Sequence, residues 1–516
     1  MGKTKLFALV GSICLILALV VTLSGGLAPA LAQKPAPELV PGLAKKAPAP
    51  EVLLPPDVMR VIYMTGTSYE MGYQYGLQAG DYIELAKDYF WSQALQTYSY
   101  DDAIYMLKGF QYYIAQYAPE EIEQMKGMAA GATHAGYDVS YTDIMLINSF
   151  MELMWAPPTT PTVTYPSPVS ELPPECSGWA AWGSTTANGH LIGGIMRDLG
   201  PYPWLYQVTL VAFPDEGNAY IGTVMAGHLA ENFFMNDKGL FIAANKGPNQ
   251  RDIDIDYGIP HSCVNSHIAQ FANDAAEARD MLLSWQLTQG MNFQYTDTSG
   301  TSFVLETTAA HKGVRTSGDF GETDFIVETN YFVIPDMKVS GEWGPCARYD
   351  QLFNSLAANQ GNVDLDLAKE FMRTPPVCHW RNVAANLALV NEQLAYICTG
   401  SPGVETFPVN NTGSFYEIAL KSDPAAVTKA AGGAAWLDIG KAGAELTNLD
   451  YSDVRYAPLK AIFAQAKAEY FAGCQIEAQA GLATGNEALI LYGQATTAYA
   501  STQAHALQVY NALMLP

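Results

Sequence analysis

Apolar residues recur at three- and four-residue spacing from Ser68 to about Leu153, through YEMGYQYGLQAGDYIELAKDYFWSQAL, DDAIYMLKGFQYYIAQYA and PEEIEQMKGMAAGATHAG. That period places them on one face of successive helices. Pro119 followed by Glu120 and Glu121 marks a helix start, because proline needs no donor at the first helical position and carboxylates suit the positive end. Residues 57–154 therefore read as an all-helical leading segment. Beyond Cys176 the period changes to two: GWAAWGS and HLIGGIM flank TTANG, whose Asn188-Gly189 pair is a hairpin signal. YQVTLVAF, AYIGTVMAG, ENFFMN and LFIAAN continue as short strands, with Asp237-Lys238-Gly239 as a further turn. NDAAEARDMLLSW is a helix capped by Asn273 or Asp274, after which SFVLETT and DFIVETNYFVI return to strand. The Ala-rich stretch from Tyr451 to Met514 is helical again. Strands in the middle with helices on both sides predict an α+β layered body, a packed sandwich over residues 176–450 whose sheet faces are covered by helices, with a helical extension over 451–516.

Two segments fit no layer. Residues 155–175, WAPPTTPTVTYPSPVSELPPE, carry prolines too densely for helix or central strand and read as an exposed connector. At the other end, Lys3 and Lys5 precede an apolar run from Leu6 to about Leu23 and a small-residue stretch ending in Ala30, Leu31 and Ala32. Residues 1–32 have the layout of a secretory signal or a single N-terminal membrane anchor, and either puts the rest of the chain outside the cytoplasm. Residues 33–56, rich in Pro and Ala, form a semi-extended tether.

Charge narrows the partners. The formal net charge of −24 repels phosphate backbones over most of the surface, so nucleic acid is excluded as a partner. Seven cysteines are present, and beyond Cys14 they are Cys176, Cys263, Cys346, Cys378, Cys398 and Cys474. Exported proteins oxidise thiols, and Cys378 with Cys398 is the first pairing expected from proximity. No phosphate loop, dinucleotide fingerprint, zincin motif, CxxC pair or GxSxG elbow occurs. His261, Cys263 and His267 in HSCVNSH match no standard zinc spacing and open a helix, so no metal or organic cofactor is implied. His379 beside Cys378 is a lone histidine.

Cys176 stands directly behind the connector and ahead of the first strand. It reads as half of a disulfide, as a buried thiol, or as a nucleophile. A nucleophilic cysteine needs a base, and no histidine here sits in a cysteine-protease context. Its own α-amino group would serve, with a reference pKa of about 7.7–8.0, but only after the Glu175–Cys176 bond is cut. An exposed proline-rich connector is where such a cut does no structural harm.

From Cys176 to Asp198, CSGWAAWGSTTANGHLIGGIMRD resembles the start of the cysteine N-terminal-nucleophile hydrolases related to isopenicillin N acyltransferase. GTSYEMGYQYG (66–76), EEIEQMKGMAAGA (120–132), IMLINSFMEL (144–153), MNDKGLFIAAN (235–245), VETNYFVIP (327–335) and CARYDQL (346–352) agree with that family in consistent order. The resemblance implies an autoproteolytic precursor with an αββα fold that cleaves or transfers the acyl group of linear amides. It implies Cys176 as nucleophile and its freed amine as base. Asp198 would hold the amine or substrate, Asn245 would donate to the oxyanion, Asn330 would be a second active-site amide, and Arg348 would screen charge. Where the family often has Gly-Arg-Asn-x-Asp, this chain has Gly194-Ile195-Met196-Arg197-Asp198. The arginine moves by two residues, which keeps it on the same face of a strand, so Arg197 is the expected substrate-binding cation. A more distant resemblance to phospholipase B-like proteins implies a lipid ester substrate instead. A catalytically silent, surface-tethered binding protein with the same fold is the remaining alternative.

Overall fold

The computed structural model describes residues 58–155, 176–198, 206–248, 254–340, 346–403 and 413–514. The signal or anchor, the whole tether, and the connector from residue 156 through Glu175 lie outside the described residues.

The expected hairpin forms: β2 (Ser177–Ala181) runs antiparallel to β3 (Ile192–Asp198), and Gly189 takes the positive φ of +79° that its turn demands. These strands lie in a six-stranded sheet with β11 (Phe325–Glu328), β12 (Asn382–Leu389), β13 (Leu394–Thr399) and β14 (Tyr416–Ala419), in the order β11-β2-β3-β12-β13-β14. A second, eight-stranded sheet contains β1 (Arg60–Gly66), β4 (Gln207–Pro214), β5 (Tyr220–Met225), β6 (Phe233–Asn236), β7 (Leu240–Lys246), β8 (Met291–Asp297), β9 (Ser302–Thr307) and β10 (Lys312–Arg315), in sequential order from β1 through β4 to β10.

Alternation along the strands builds the layers. Val211, Ile221, Phe233 and Phe241 of the larger sheet meet Ala180, Ile195, Ala384 and Ile397 of the smaller one in a shared core. The opposite faces of both sheets are covered by helices. α1 (Ser68–Ala94), α2 (Tyr100–Tyr117), α3 (Pro119–His134), α4 (Tyr141–Trp155), α5 (His261–Phe271) and α6 (Ala275–Ser284) pack on the larger sheet. α7 (Ala347–Ala358) and α8 (Leu365–Arg373) pack on the smaller. The fold is therefore α+β, as the sequence pattern anticipated, with the αββα layering that the resemblance implied.

Local signals explain the helix ends. Thr67 and Glu70 form a reciprocal capping box at α1, and Asp274 accepts the Glu277 N–H at 2.8 Å to start α6. α1 and α3 touch backbone to backbone: a Cβ on Gly76 would lie 2.0 Å from the Met128 oxygen, and one on Gly131 2.0 Å from the Tyr73 oxygen.

Four features depart from expectation. Residues 57–154 are not helical throughout, because β1 precedes α1 and joins the larger sheet in parallel with β4. Its VIYM run is apolar on both faces, as a strand buried on both sides requires. The strand expected over 324–334 stops at Glu328, so Asn330 falls beyond it. The terminal helical layer starts inside the expected body: α9 (Pro424–Asn448), α10 (Tyr456–Ala480) and α11 (Gly485–Met514) pack together. α9 and α11 also pack near β1 and β14, where Thr497 Oγ1 accepts the Val61 N–H and Thr496 bonds the Tyr63 hydroxyl. Lastly, Cys378 and Cys398 are not bridged, nor is any other cysteine among the described residues. The Cys378 sulfur instead contacts Ser401 Oγ at 3.1 Å, and Cys398 turns toward the Thr399 and Gly400 carbonyls.

Candidate active site

Cys176 lies one residue before β2 and is 7% exposed. The end of β3 receives its sulfur: the Asp198 N–H donates to Sγ at 3.3 Å, and the thiol faces the Asp198 carbonyl at 3.6 Å. Burial first, and then the Asp198 charge, push the thiol up to about 12, against the opposing pull of the Asp198 N–H, Arg348 and Arg197. In the uncut chain the sulfur is thus a neutral thiol at physiological pH.

The Asp198 carboxylate is fixed from β12. Asn382 Nδ2 donates to Oδ1, and His379 Nε2 sits 2.9 Å from Oδ2. The His379 backbone N–H in turn donates to Asn382 Oδ1 at 2.5 Å, which closes a small network around the carboxylate.

Arg348, at the start of α7, reaches the other side of the nucleophile. Its Nη1 donates to the Cys176 carbonyl and to Ser177 Oγ at 2.8 Å, and its Nη2 donates to Asn330 Oδ1 at 3.2 Å. Asn330 donates onward to the Lys246 carbonyl at 2.9 Å, one residue past Asn245.

Asn245 shares the alternation of Phe241 and Ala243, so β7 presents it between the sheets, whereas Lys246 belongs to the outer face. Asn245 Nδ2 donates to Glu328 Oε1 at 2.5 Å. Glu328 follows Ile326 on the inner face of β11, paired in register with Gly178. Gly178 makes room for it: a Cβ there would lie 2.3 Å from Glu328 Oε1. Burial raises the Glu328 carboxyl to about 8, offset in part by the Asn245 bond and by Arg315 and Arg348. It is therefore largely protonated near neutral pH.

Hydrogen bonds thus link four of the five expected positions, Cys176, Asp198, Asn330 and Arg348, while Asn245 is bonded to Glu328 and adjoins that network only through its neighbour Lys246, whose carbonyl accepts from Asn330. Arg197 is buried close by, and Glu231 and Gln207 occupy its guanidinium. The sequence reading did not single out Glu328 or Asn382, and set His379 aside as a lone histidine. Glu328 had a legible signal, a charged residue on the inward alternation of an apolar strand. Asn382 had none, since the strand that it opens was itself not anticipated.

No helix among the described residues is long and apolar enough to cross a membrane.

A scan against protein-family models matches none. Among curated proteins, an uncharacterized protein of Archaeoglobus fulgidus is 24% identical over 346 residues. That match takes in 60% of this chain and spans 57% of the relative's length. Among solved structures, the N-acylethanolamine-hydrolyzing acid amidase ortholog of Caenorhabditis elegans aligns with a TM-score of 0.33 and 14% identity, over 42% of this chain and 92% of that one. A variant of conjugated bile acid hydrolase from Clostridium perfringens aligns with a TM-score of 0.35 and 12% identity, over 48% and 93%. Penicillin V acylase from Agrobacterium tumefaciens aligns with a TM-score of 0.33 and 11% identity, over 48% and 87%.

Proposed function

We propose that the chain is an exported cysteine amidohydrolase or acyltransferase of the N-terminal-nucleophile type, activated by scission of its own Glu175–Cys176 bond and acting on small linear amides. The observation that carries this reading is the convergence on Cys176 of the Asp198 N–H, at 3.3 Å from the sulfur, and of the Arg348 guanidinium on the Cys176 carbonyl. Both contacts fix the nucleophile without supplying a base.

The base is then the amine that scission frees. With a reference pKa of about 7.7–8.0 it is partly unprotonated at neutral pH, and it sits on the nucleophile's own α-carbon. It takes the thiol proton as sulfur attacks the substrate carbonyl carbon, and the oxyanion that forms accepts an N–H from Asn245. One Asn245 N–H is already held by Glu328, which fixes the amide's orientation and leaves the second for the oxyanion. The ammonium returns its proton to the leaving amine as the carbon–nitrogen bond breaks, leaving a thioester on Cys176. Water or an acceptor amine, deprotonated by the same α-amine, attacks the thioester carbon and regenerates the thiol. Asp198, anchored by His379 and Asn382, holds the ammonium between these steps. No cofactor enters any step.

The test is N-terminal sequencing of the purified chain together with a denaturing gel. Wild type should yield a fragment beginning at Cys176, and Cys176→Ala should remain one band and lack amidase activity. An intact wild-type chain that hydrolyses amides as fast as Cys176→Ala would sink the proposal.

A further inference from the structure

The HSCVNSH stretch was set aside as a metal site because His261, Cys263 and His267 have no ligand spacing. The fold gives His267 different company. It projects from α5 toward the first turn of α3, where its Nδ1 contacts Glu120 Oε1. One ligand atom each from Glu120, Glu121 and His267 lie within 4.8 Å of one another.

Glu121 supplies the independent indication. Its side chain is fully buried, yet Oε1 has no hydrogen-bond partner, and Oε2 receives only the Ser266 hydroxyl at 3.1 Å. No lysine or arginine is paired with Glu121 or Glu120 among the described residues. A buried carboxylate next to a second one, with no cation, is costly. Glu120 and His267 remain partly exposed, so an ion has a route in.

We infer that Glu120, Glu121 and His267 bind a first-row divalent cation such as zinc or manganese, which ties α3 of the leading segment to α5 of the main body. One imidazole and two carboxylates suit these borderline ions and not calcium or magnesium, which prefer all-oxygen shells. Three protein ligands leave the solvent-facing position to water. The site lies apart from Cys176, on the helix-covered face of the larger sheet, and takes no part in the proposed chemistry.

Equilibrium dialysis of the full chain against zinc, read by elemental mass spectrometry, should give one bound zinc per chain. Zinc should also raise the melting temperature by several degrees, an effect reversed by a chelator. Glu121→Gln and His267→Gln should each abolish the stoichiometric zinc and the melting shift. His267 is partly exposed, so its variant should keep the wild-type circular dichroism spectrum and separate loss of binding from loss of fold. Zinc bound equally by wild type and both variants, or no saturable binding of zinc or manganese to wild type, overturns the inference.

Discussion

The Asp198 backbone N–H points at the Cys176 sulfur across 3.3 Å, while the Asp198 carboxylate is turned to Asn382 and His379. One residue therefore acts on the thiol in two senses: its N–H favours thiolate and its charge opposes it. Removing only the charge separates them. In Asp198→Asn the Cys176 thiol pKa should fall below that of wild type. Iodoacetamide labelling of the uncut peptide spanning Glu175 and Cys176, followed by mass spectrometry across a pH series, should show the midpoint moving to lower pH. Turnover should fall about a hundredfold despite the more acidic thiol, because the ammonium loses its counter-charge. A midpoint that stays in place would mean that burial alone governs the thiol.

Glu328 makes a prediction about stability. Its carboxyl titrates at about 8 when folded, against an ordinary value of 4.5, because burial penalises its charge. Between about pH 4.5 and 8 the unfolded chain has released this proton and the folded chain has kept it. Stability is thus full below that window and declines through it, by up to about 1.4 kcal/mol per pH step. Glu328→Gln cannot ionise, so its melting temperature relative to wild type should rise from pH 5 to pH 7. Measurement below pH 7 avoids Lys246, whose amine is lowered by burial to about 7 and which works in the opposite sense above that value. A constant difference across the range would place the Glu328 carboxyl in the usual carboxylate range.

Scission before Cys176 would leave a leading fragment that carries β1 and α1–α4. That fragment is not peripheral. Ile62 and Met64 pack under the helices, Val61 and Tyr63 sit between the sheets, and the Met59 N–H donates to the Tyr416 hydroxyl of β14 at 2.9 Å. Detaching it would expose both faces of an eight-stranded sheet's first strand along with a large helical core. The two fragments should accordingly co-elute on native size exclusion and separate only in denaturant. A leading fragment that elutes alone under native conditions contradicts this.

The layers were legible because period-two and period-3.6 stretches are long and clean on either side of Cys176. Position in the chain also brought Asp198, Asn245, Asn330 and Arg348 into consideration; Asp198, Asn330 and Arg348 lie in one bonded network with Cys176, and Asn245 stands beside it, next to the Lys246 carbonyl that Asn330 reaches. What stayed hidden was tertiary. VIYM at 61–64 reads equally as buried helix or strand until β4 is found beside it in parallel. The Asp198 network depends on β12, whose NVAANLAL run is alanine-rich and alternates no apolar and polar residues that would mark it as a strand. Sequence proximity suggested bridging Cys378 and Cys398, yet β13 turns the Cys398 sulfur to local carbonyls. His267 likewise found its neighbours more than a hundred residues upstream in α3.

Arg348 offers the sharpest division between charge and geometry at the nucleophile. Its guanidinium serves three acceptors at once, the Cys176 carbonyl, Ser177 Oγ and Asn330 Oδ1, and its charge also draws the Cys176 thiol down. Lysine keeps the charge but has no planar fork, so it can hold only part of this set. Arg348→Lys should leave the thiol pKa close to wild type while reducing kcat/KM about tenfold through a looser nucleophile. Arg348→Gln should lose both contributions: the thiol pKa should rise, and kcat/KM should drop about a hundredfold or more. Melting temperatures of both variants should stay near wild type, since the side chain is only partly buried. If Lys and Gln variants are equally impaired and their thiols titrate alike, Arg348 acts through placement alone and its charge has no part in setting the sulfur's reactivity.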